Sequence, residues 1–310
     1  MQLHHPLQAR HENRLGCKPW QGGRVRFSNS LITSLQGTSA LLVVVAVGLL
    51  AARAEEPKAV RPAYNSFSDE EEMAMGSKAA AQTEKQLRIL EDKLLETYLD
   101  HVGQKVARAS RRPQLQYHFK VVDKSSVNAF SLPGGYVYVN RGLLDFVENE
   151  SELAGVLGHE IGHVVAYHSM NDVARRMLVD RLMYEGKRAG FLNDQQVQDV
   201  LQRYGGPILL FVDRKFSREE ESEADLLGLY NTLRAGWDPE GLVSFLTRLR
   251  KFSANPDLVQ SLLLKHPLPL ERVQALRNEL QQHPPSGDLR KDSFLFTGAR
   301  MRLKSLPPPK

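Results

Sequence analysis

Apolar positions recur along this chain with two periods, and the period predicts the element. Leu90, Leu94, Leu95, Tyr98, Leu99, Val102 and Val106 fall three and four apart, the spacing of one helical face. Arg112-Pro113 ends that run. Upstream, Ser68 precedes Asp69, Glu70 and Glu71, an N-cap with acids in the first turn, which predicts a helix to Gln82. "YHFKVVD", Tyr117 to Asp123, alternates and is β-branched, so it reads as a strand. Pro133-Gly134-Gly135 is a turn signal between Asn128-Ala129-Phe130 and "YVYVN", which predicts a hairpin. A short helix follows, then a long one starting at Glu150 or Ser151 and running past Ser169.

Residues 181–210 keep helical propensity less regularly, until Gly205-Gly206-Pro207 break them. "SREEESEADLLGLYNTLRAG" predicts a helix closed by Gly236. "DPEGLVSFLTRLRKF" predicts another, with Asp238 as cap and Pro239 in its first turn. A further helix begins near Leu270, and the tail ending "SLPPPK" reads as partly disordered. The expected class is α+β: a mostly helical domain with a small hairpin or sheet beside the long helix, and no internal repeat.

The N-terminus has a different character. An irregular, basic start leads into the apolar run Ala40 to Ala52, short for a bilayer span and suited to a signal h-region. Ala52-Arg53-Ala54 is an A-x-A cleavage site. The expected organisation is a signal peptide over 1–54, a flexible lead over 55–66, the folded domain over 67–283 and a tail over 284–310. The alternative for 31–54 is an uncleaved anchor in an inner membrane. An exported chain in a bacterial periplasm is the expected location. No later stretch has the length of an embedded span.

Charge adds one exclusion. The formal net charge is +5, but residues 1–54 hold six Lys/Arg against one acid, leaving 35 of each sign beyond them. The body therefore lacks the basic footprint of a nucleic-acid binder. Cys17 is the only cysteine, so any metal in the body must be held by His and carboxylate.

The chemistry concentrates in "LGHEIGHVVAYH", Leu157 to His168. On a helix, residues four apart lie about 40° apart around the axis, so His159 and His163 can reach one metal ion. Glu160 sits about 100° from His159, off the metal line and within reach of a water on that metal. This is the H-E-x-x-H pattern of zinc peptidases; an ordinary amphipathic helix is the other reading. Apolar neighbours Leu153, Val156, Leu157, Ile161, Val164 and Val165 favour the first, because a buried His-Glu-His set needs partners or a metal. His168 is a poor third ligand, about 140° further round if the helix continues. In "FSREEESEADLLG", Glu221 and Asp225 stand one turn apart. Glu221 could be the third ligand, with Asp225 holding the other nitrogen of a ligand histidine; a solvated acidic face is the alternative.

"HEIGHVVAYHS" together with "FSREEESEADLLGL" resembles the zinc metallopeptidase family of the CAAX prenyl protease and HtpX type, in particular its soluble, exported, BepA-like branch. Ser217, Arg218, Glu221, Glu223, Ala224, Asp225 and Gly228 fit that family's second motif at its fixed positions. "NSFSDEEEMAMG", "VNAFSLPGGYVYVNRGLL" and "KHPLPLERV" resemble its further segments, so the likeness covers residues 64–280. The resemblance implies one Zn²⁺ per chain on His159, His163 and Glu221. It implies Glu160 as general acid and base and Asp225 as orienter of a ligand histidine. His266 becomes a candidate latch or fourth ligand, and Arg272 a candidate transition-state or structural partner. Asn128, Ala129, Phe130, Ser131 and Leu132 become a candidate substrate-pairing strand. The activity so implied is a zinc-dependent endopeptidase on unfolded or misassembled envelope polypeptides, in protein quality control. The alternative is a chaperone or assembly factor with a structural or latent zinc.

Overall fold

The computed structural model describes residues 67–204, 215–252, 256–267 and 270–309. The expected signal or anchor, the lead over 55–66 and the Gly205-Gly206-Pro207 break lie outside them. The described residues are mostly helical with one small sheet, so the class is α+β.

Helix α1 (Asp69–Glu84) starts on a capping box, Ser68 and Glu71 satisfying each other's backbone amides. Helix α2 (Lys93–Arg108) buries Leu95, Tyr98, Leu99, Val102 and Val106, as its period predicts. The strands β1 (His118–Val122), β2 (Ala129–Leu132) and β3 (Tyr136–Asn140) form a sheet in the order β1-β3-β2. Strands β2 and β3 make the expected antiparallel hairpin, and β1 adds in parallel to β3. Gly134 at the turn has φ 73°, in the left-handed region that glycine adopts without penalty. Phe130, Leu132 and Tyr138 pack with Ala79 and Ala80 of α1 on one face. Ala129, Val137 and Val139 join the main core on the other.

After α3 (Arg141–Phe146) comes α4 (Glu150–Val165), the long helix of the motif. Asn149 caps it, Glu150 and Glu152 occupy its first turn, and every residue in it is buried. It does not run on to Ser169. It ends at Val165, and Tyr167 takes a left-handed φ of 55°. Arg112 donates to the Val164 carbonyl at 3.2 Å, satisfying one of the acceptors a helix end leaves open, and its guanidinium lies 4.2 Å from the centre of the Tyr167 ring. A new helix, α5 (His168–Arg188), then starts, followed by α6 (Asp194–Tyr204).

Helix α7 (Arg218–Arg234) opens on a second capping box, Ser217 with Glu220. It lies tightly along α4 because glycines face each other. A Cβ on Gly158 would come within 2.7 Å of the Gly228 carbonyl, and one on Gly228 within 2.7 Å of the His159 amide. Helix α8 (Glu240–Lys251) follows, with Asp238 accepting from the Glu240 amide at 3.0 Å. Then come α9 (Pro256–Lys265), α10 (Leu270–Gln282) and α11 (Phe294–Ser305).

The C-terminal segment differs from the expected tail. Phe296, Ala299 and Leu303 of α11 belong to the main core. Asp292 accepts from the Glu150 amide at 3.0 Å, and the Lys291 carbonyl accepts from the Ser151 amide at 3.0 Å. The segment therefore closes the first turn of the motif helix, whose amides have no partner within the helix. Sequence periodicity missed it because the exposed Phe294, Leu295 and Met301 blur the apolar face that Phe296, Ala299 and Leu303 bury.

Candidate metal centre and active site

The close approach of α4 and α7 sets Glu221 against the two motif histidines. His159 Nε2 lies 3.1 Å from His163 Nε2. Glu221 Oε1 is 3.4 Å from His163 Nε2, and its Oε2 is 3.7 Å from His159 Nε2. His266, just past the end of α9, brings Nδ1 to 3.3 Å from His159 Nε2 and 2.9 Å from Glu221 Oε1. All four residues are buried, and each offers one ligand atom within 4.8 Å of the others.

The donor set fits zinc. Zn²⁺ is held tetrahedrally by nitrogen and oxygen at about 2.0–2.1 Å, so its ligand atoms stand about 3.3 Å apart. With Glu221 Oε1 as the carboxylate ligand atom, its separations from His163 and His266 and those of His159 from the same two histidines run from 2.9 to 3.4 Å, near that edge. Glu221 Oε2 is ion-paired with Arg272 Nη1 but makes no hydrogen bond, and His266 Nε2 is buried without a hydrogen-bond partner.

A second layer holds these donors. Asp225 Oδ1 lies 2.9 Å from His159 Nδ1, off the ideal hydrogen-bond line. Arg272 of α10 grips Asp225 from behind and also contacts Glu221 and the Pro267 carbonyl. Nε, Nη1 and Nη2 are all committed to these contacts. Glu160 is buried; its Oε2 accepts from Ser131 Oγ at 3.0 Å, and its Oε1 is 3.7 Å from His266 Nε2.

Protonation follows from these contacts. Burial disfavours charge on His159, but the Asp225 and Glu221 carboxylates outweigh it and raise its pKa. Burial pushes His163 well below the ordinary histidine value, with Glu221 offsetting only part. Burial would raise Glu221, but His266, His163 and Arg272 hold it well below the usual carboxylate range. Asp225 is likewise lowered against burial, chiefly by Arg272.

The structure thus brings His159, Glu160, His163, Glu221, Asp225, His266 and Arg272 to one place. Of the expected substrate strand, Ser131 alone reaches the site by its side chain. Phe130 stacks on Tyr138 at 4.9 Å on the far face of the sheet, and Leu132 packs there with it. Asn128, which precedes β2, and Ala129, its first residue, are buried. Two contributors were not legible in the sequence. Phe216 stacks on His163 with ring centres 3.7 Å apart. His168 brings Nδ1 to 2.8 Å from His163 Nδ1, which a continuous helix would forbid.

This donor set is one that a metallopeptidase would use. The family model described as Peptidase family M48 matches residues 93–280, and the chain belongs to that family. It is 29% identical over 259 residues to the beta-barrel assembly-enhancing protease of Yersinia pestis, covering 83% of this chain and 53% of that protein. It is 31% identical over 167 residues to the metalloprotease YcaL of Escherichia coli, covering 53% of this chain and 62% of that protein. It is 28% identical over 195 residues to the mitochondrial metalloendopeptidase OMA1 of Arabidopsis thaliana, covering 62% and 37%. The chain spans about half the length of the first of these.

Proposed function

We propose that this protein is a zinc-dependent endopeptidase that cleaves unfolded or misassembled polypeptides of the cell envelope. The observation that carries it is the buried cluster His159, His163, Glu221 and His266 with the buried Glu160 beside it. Bound there, one zinc ion supplies a Lewis acid that lowers the pKa of a water and polarises the scissile carbonyl. Glu160 takes the proton from the attacking water and delivers it to the leaving amine. Ser131 fixes the Glu160 carboxylate through Oε2 and leaves Oε1 turned toward the donors. Asp225, held by Arg272, orients His159.

His266 would take the fourth ligand position of a zinc ion bound there, the position a hydrolytic zinc keeps for water, so this arrangement would be latent. Activity requires the segment carrying His266 to withdraw. Strand β2 stands at the sheet's edge next to α4, where an extended substrate can add by backbone hydrogen bonds. That mode reads extended shape more than side-chain identity and suits unfolded chains. Envelope location rests on the signal-like character of residues 1–54 and on relatives named for β-barrel assembly. Among the described residues no helix is long and apolar enough to cross a membrane.

The test uses unfolded casein with wild type, wild type plus a zinc chelator, and Glu160→Gln. Chelator-sensitive cleavage is expected in His266→Ala and, more slowly, in wild type as the His266 segment withdraws, with at least a ~100-fold loss in Glu160→Gln at unchanged zinc content. Normal cleavage by Glu160→Gln would sink the mechanism. Silence in both wild type and His266→Ala would favour a chaperone.

A further inference from the structure

The two histidine ligands are backed differently. His159 leans on a carboxylate, Asp225. His163 has no carboxylate on its outer nitrogen; it meets another imidazole. His163 Nε2 faces the donor cluster, and its Nδ1 points away to His168 Nδ1 at 2.8 Å. His168 Nε2 in turn lies 3.4 Å from Glu223 Oε2. His168 is buried, whereas the Glu223 side chain is 25% exposed.

From these contacts we propose that His168 and Glu223 form a positioning relay that holds His163 in the tautomer able to bind the metal.

The direction of the relay follows from what each atom can do. A carboxylate only accepts, so Glu223 selects the His168 tautomer with its proton on Nε2. His168 Nδ1 is then an acceptor. Its partner, His163 Nδ1, must be the donor and carries the proton. His163 Nε2 is left with a free lone pair aimed at the cluster. The reverse polarity would put a proton on His163 Nε2 and close that position to a cation. The identity of the outer group fixes the tautomer of a ligand histidine, and here a neutral imidazole transmits the choice from a carboxylate nearer the surface.

The backbone is shaped for this contact. On a continuous helix His168 would lie about 140° round from His163. The left-handed Tyr167 ends α4 and turns the first residue of α5 back onto the ligand. That conformation disfavours a non-glycine residue, and Arg112 steadies the break through the Val164 carbonyl and the Tyr167 ring. Phe216, stacked on His163, leaves the imidazole little freedom to rotate.

The inference rests on the reading of His163 as a zinc ligand, so the experiment separates the two. Zinc affinity is measured on the full chain by competition with a chromophoric chelator, and folding of the metal-free forms by circular dichroism. His168→Leu keeps bulk and removes the acceptor; a 10- to 100-fold weaker affinity is expected. His168→Asn places an acceptor oxygen near the lost Nδ1 and should recover most of it. Should His168→Leu not fold, Glu223→Ala and Glu223→Gln carry the test at a part-exposed position. They lose the same charge, but only Gln keeps an acceptor, so Ala should bind zinc several-fold more weakly than Gln. Wild-type affinity in His168→Leu, no rescue by Asn, or equal affinities in the Glu223 pair would each overturn the relay. Wild-type affinity in His163→Ala would instead overturn the metal site itself.

Discussion

Arg272 closes on Asp225 through two parallel hydrogen bonds, Nε to Oδ2 and Nη2 to Oδ1, each 2.6 Å. Both side chains are 3% exposed. This fork ties α10 to α7 directly behind the metal donors, and the same guanidinium touches Glu221. Removing one partner of a buried pair leaves an uncompensated charge, at about 3–5 kcal/mol. Arg272→Ala is therefore expected to lower the urea-unfolding free energy of the metal-free protein by about that amount and to weaken zinc binding. Arg272→Lys, which cannot form the planar fork, should recover little. Wild-type stability in Arg272→Ala would contradict this.

The helix crossing that carries the motif depends on the missing side chain at Gly228. Its Cβ would meet backbone atoms of Gly158 and His159, which cannot rotate away. Gly228→Ala is expected to cost about 1–3 kcal/mol as overpacking and to move Glu221 away from His159 and His163. Thermal melting and zinc affinity should fall together. Retained zinc affinity would show that α7 relaxes without disturbing its ligand.

Ser131 supplies the side-chain donor to Glu160 Oε2. A hydrogen bond to a charged group contributes about 1.5–3 kcal/mol. Ser131→Ala should therefore lower kcat on unfolded casein by about 10- to 100-fold, with zinc content and KM near wild type. A change confined to KM would assign Ser131 to substrate binding instead.

His266 Nδ1 stands 3.3 Å from His159 Nε2 and 2.9 Å from Glu221 Oε1, and under the proposed function it competes with the reacting water. His266→Ala is expected to increase casein cleavage over wild type while zinc remains on His159, His163 and Glu221. Zinc content measured beside activity decides it. Loss of both would make His266 a required ligand rather than a latch.

A chain ending at His283 would lose Lys291 and Asp292 from the first turn of α4 and Phe296 and Leu303 from the core. The truncated protein should lack a cooperative melt. Phe296→Ala, a milder change, should cost about 3–5 kcal/mol. A stable truncated domain would return residues 284–310 to the status of a tail.

Local order in this protein is local in cause, and so it was open to sequence reasoning. The period of α2, the alternation of β1, the Pro-Gly-Gly turn and the caps at Ser68 and Ser217 are set by residues within a few positions of one another. The pairing of His159 and His163 belongs to the same class, since one helical turn places both rings on one side. The sequence also held the second carboxylate motif, although its charge run read equally well as a solvated face. What separates those readings is the packing of α7 on α4, which takes Glu221 from an apparent surface run to complete burial. Residues far apart in the chain decide that, through opposed glycines that no period reveals. The same holds for Ser131 on Glu160, for Lys291 and Asp292 on the start of α4, and for Arg272 on Asp225. His168 is the sharpest instance. Its distance from His163 in sequence is fixed, but its distance in space turned on one left-handed residue, whose stability comes from Arg112, more than fifty positions upstream.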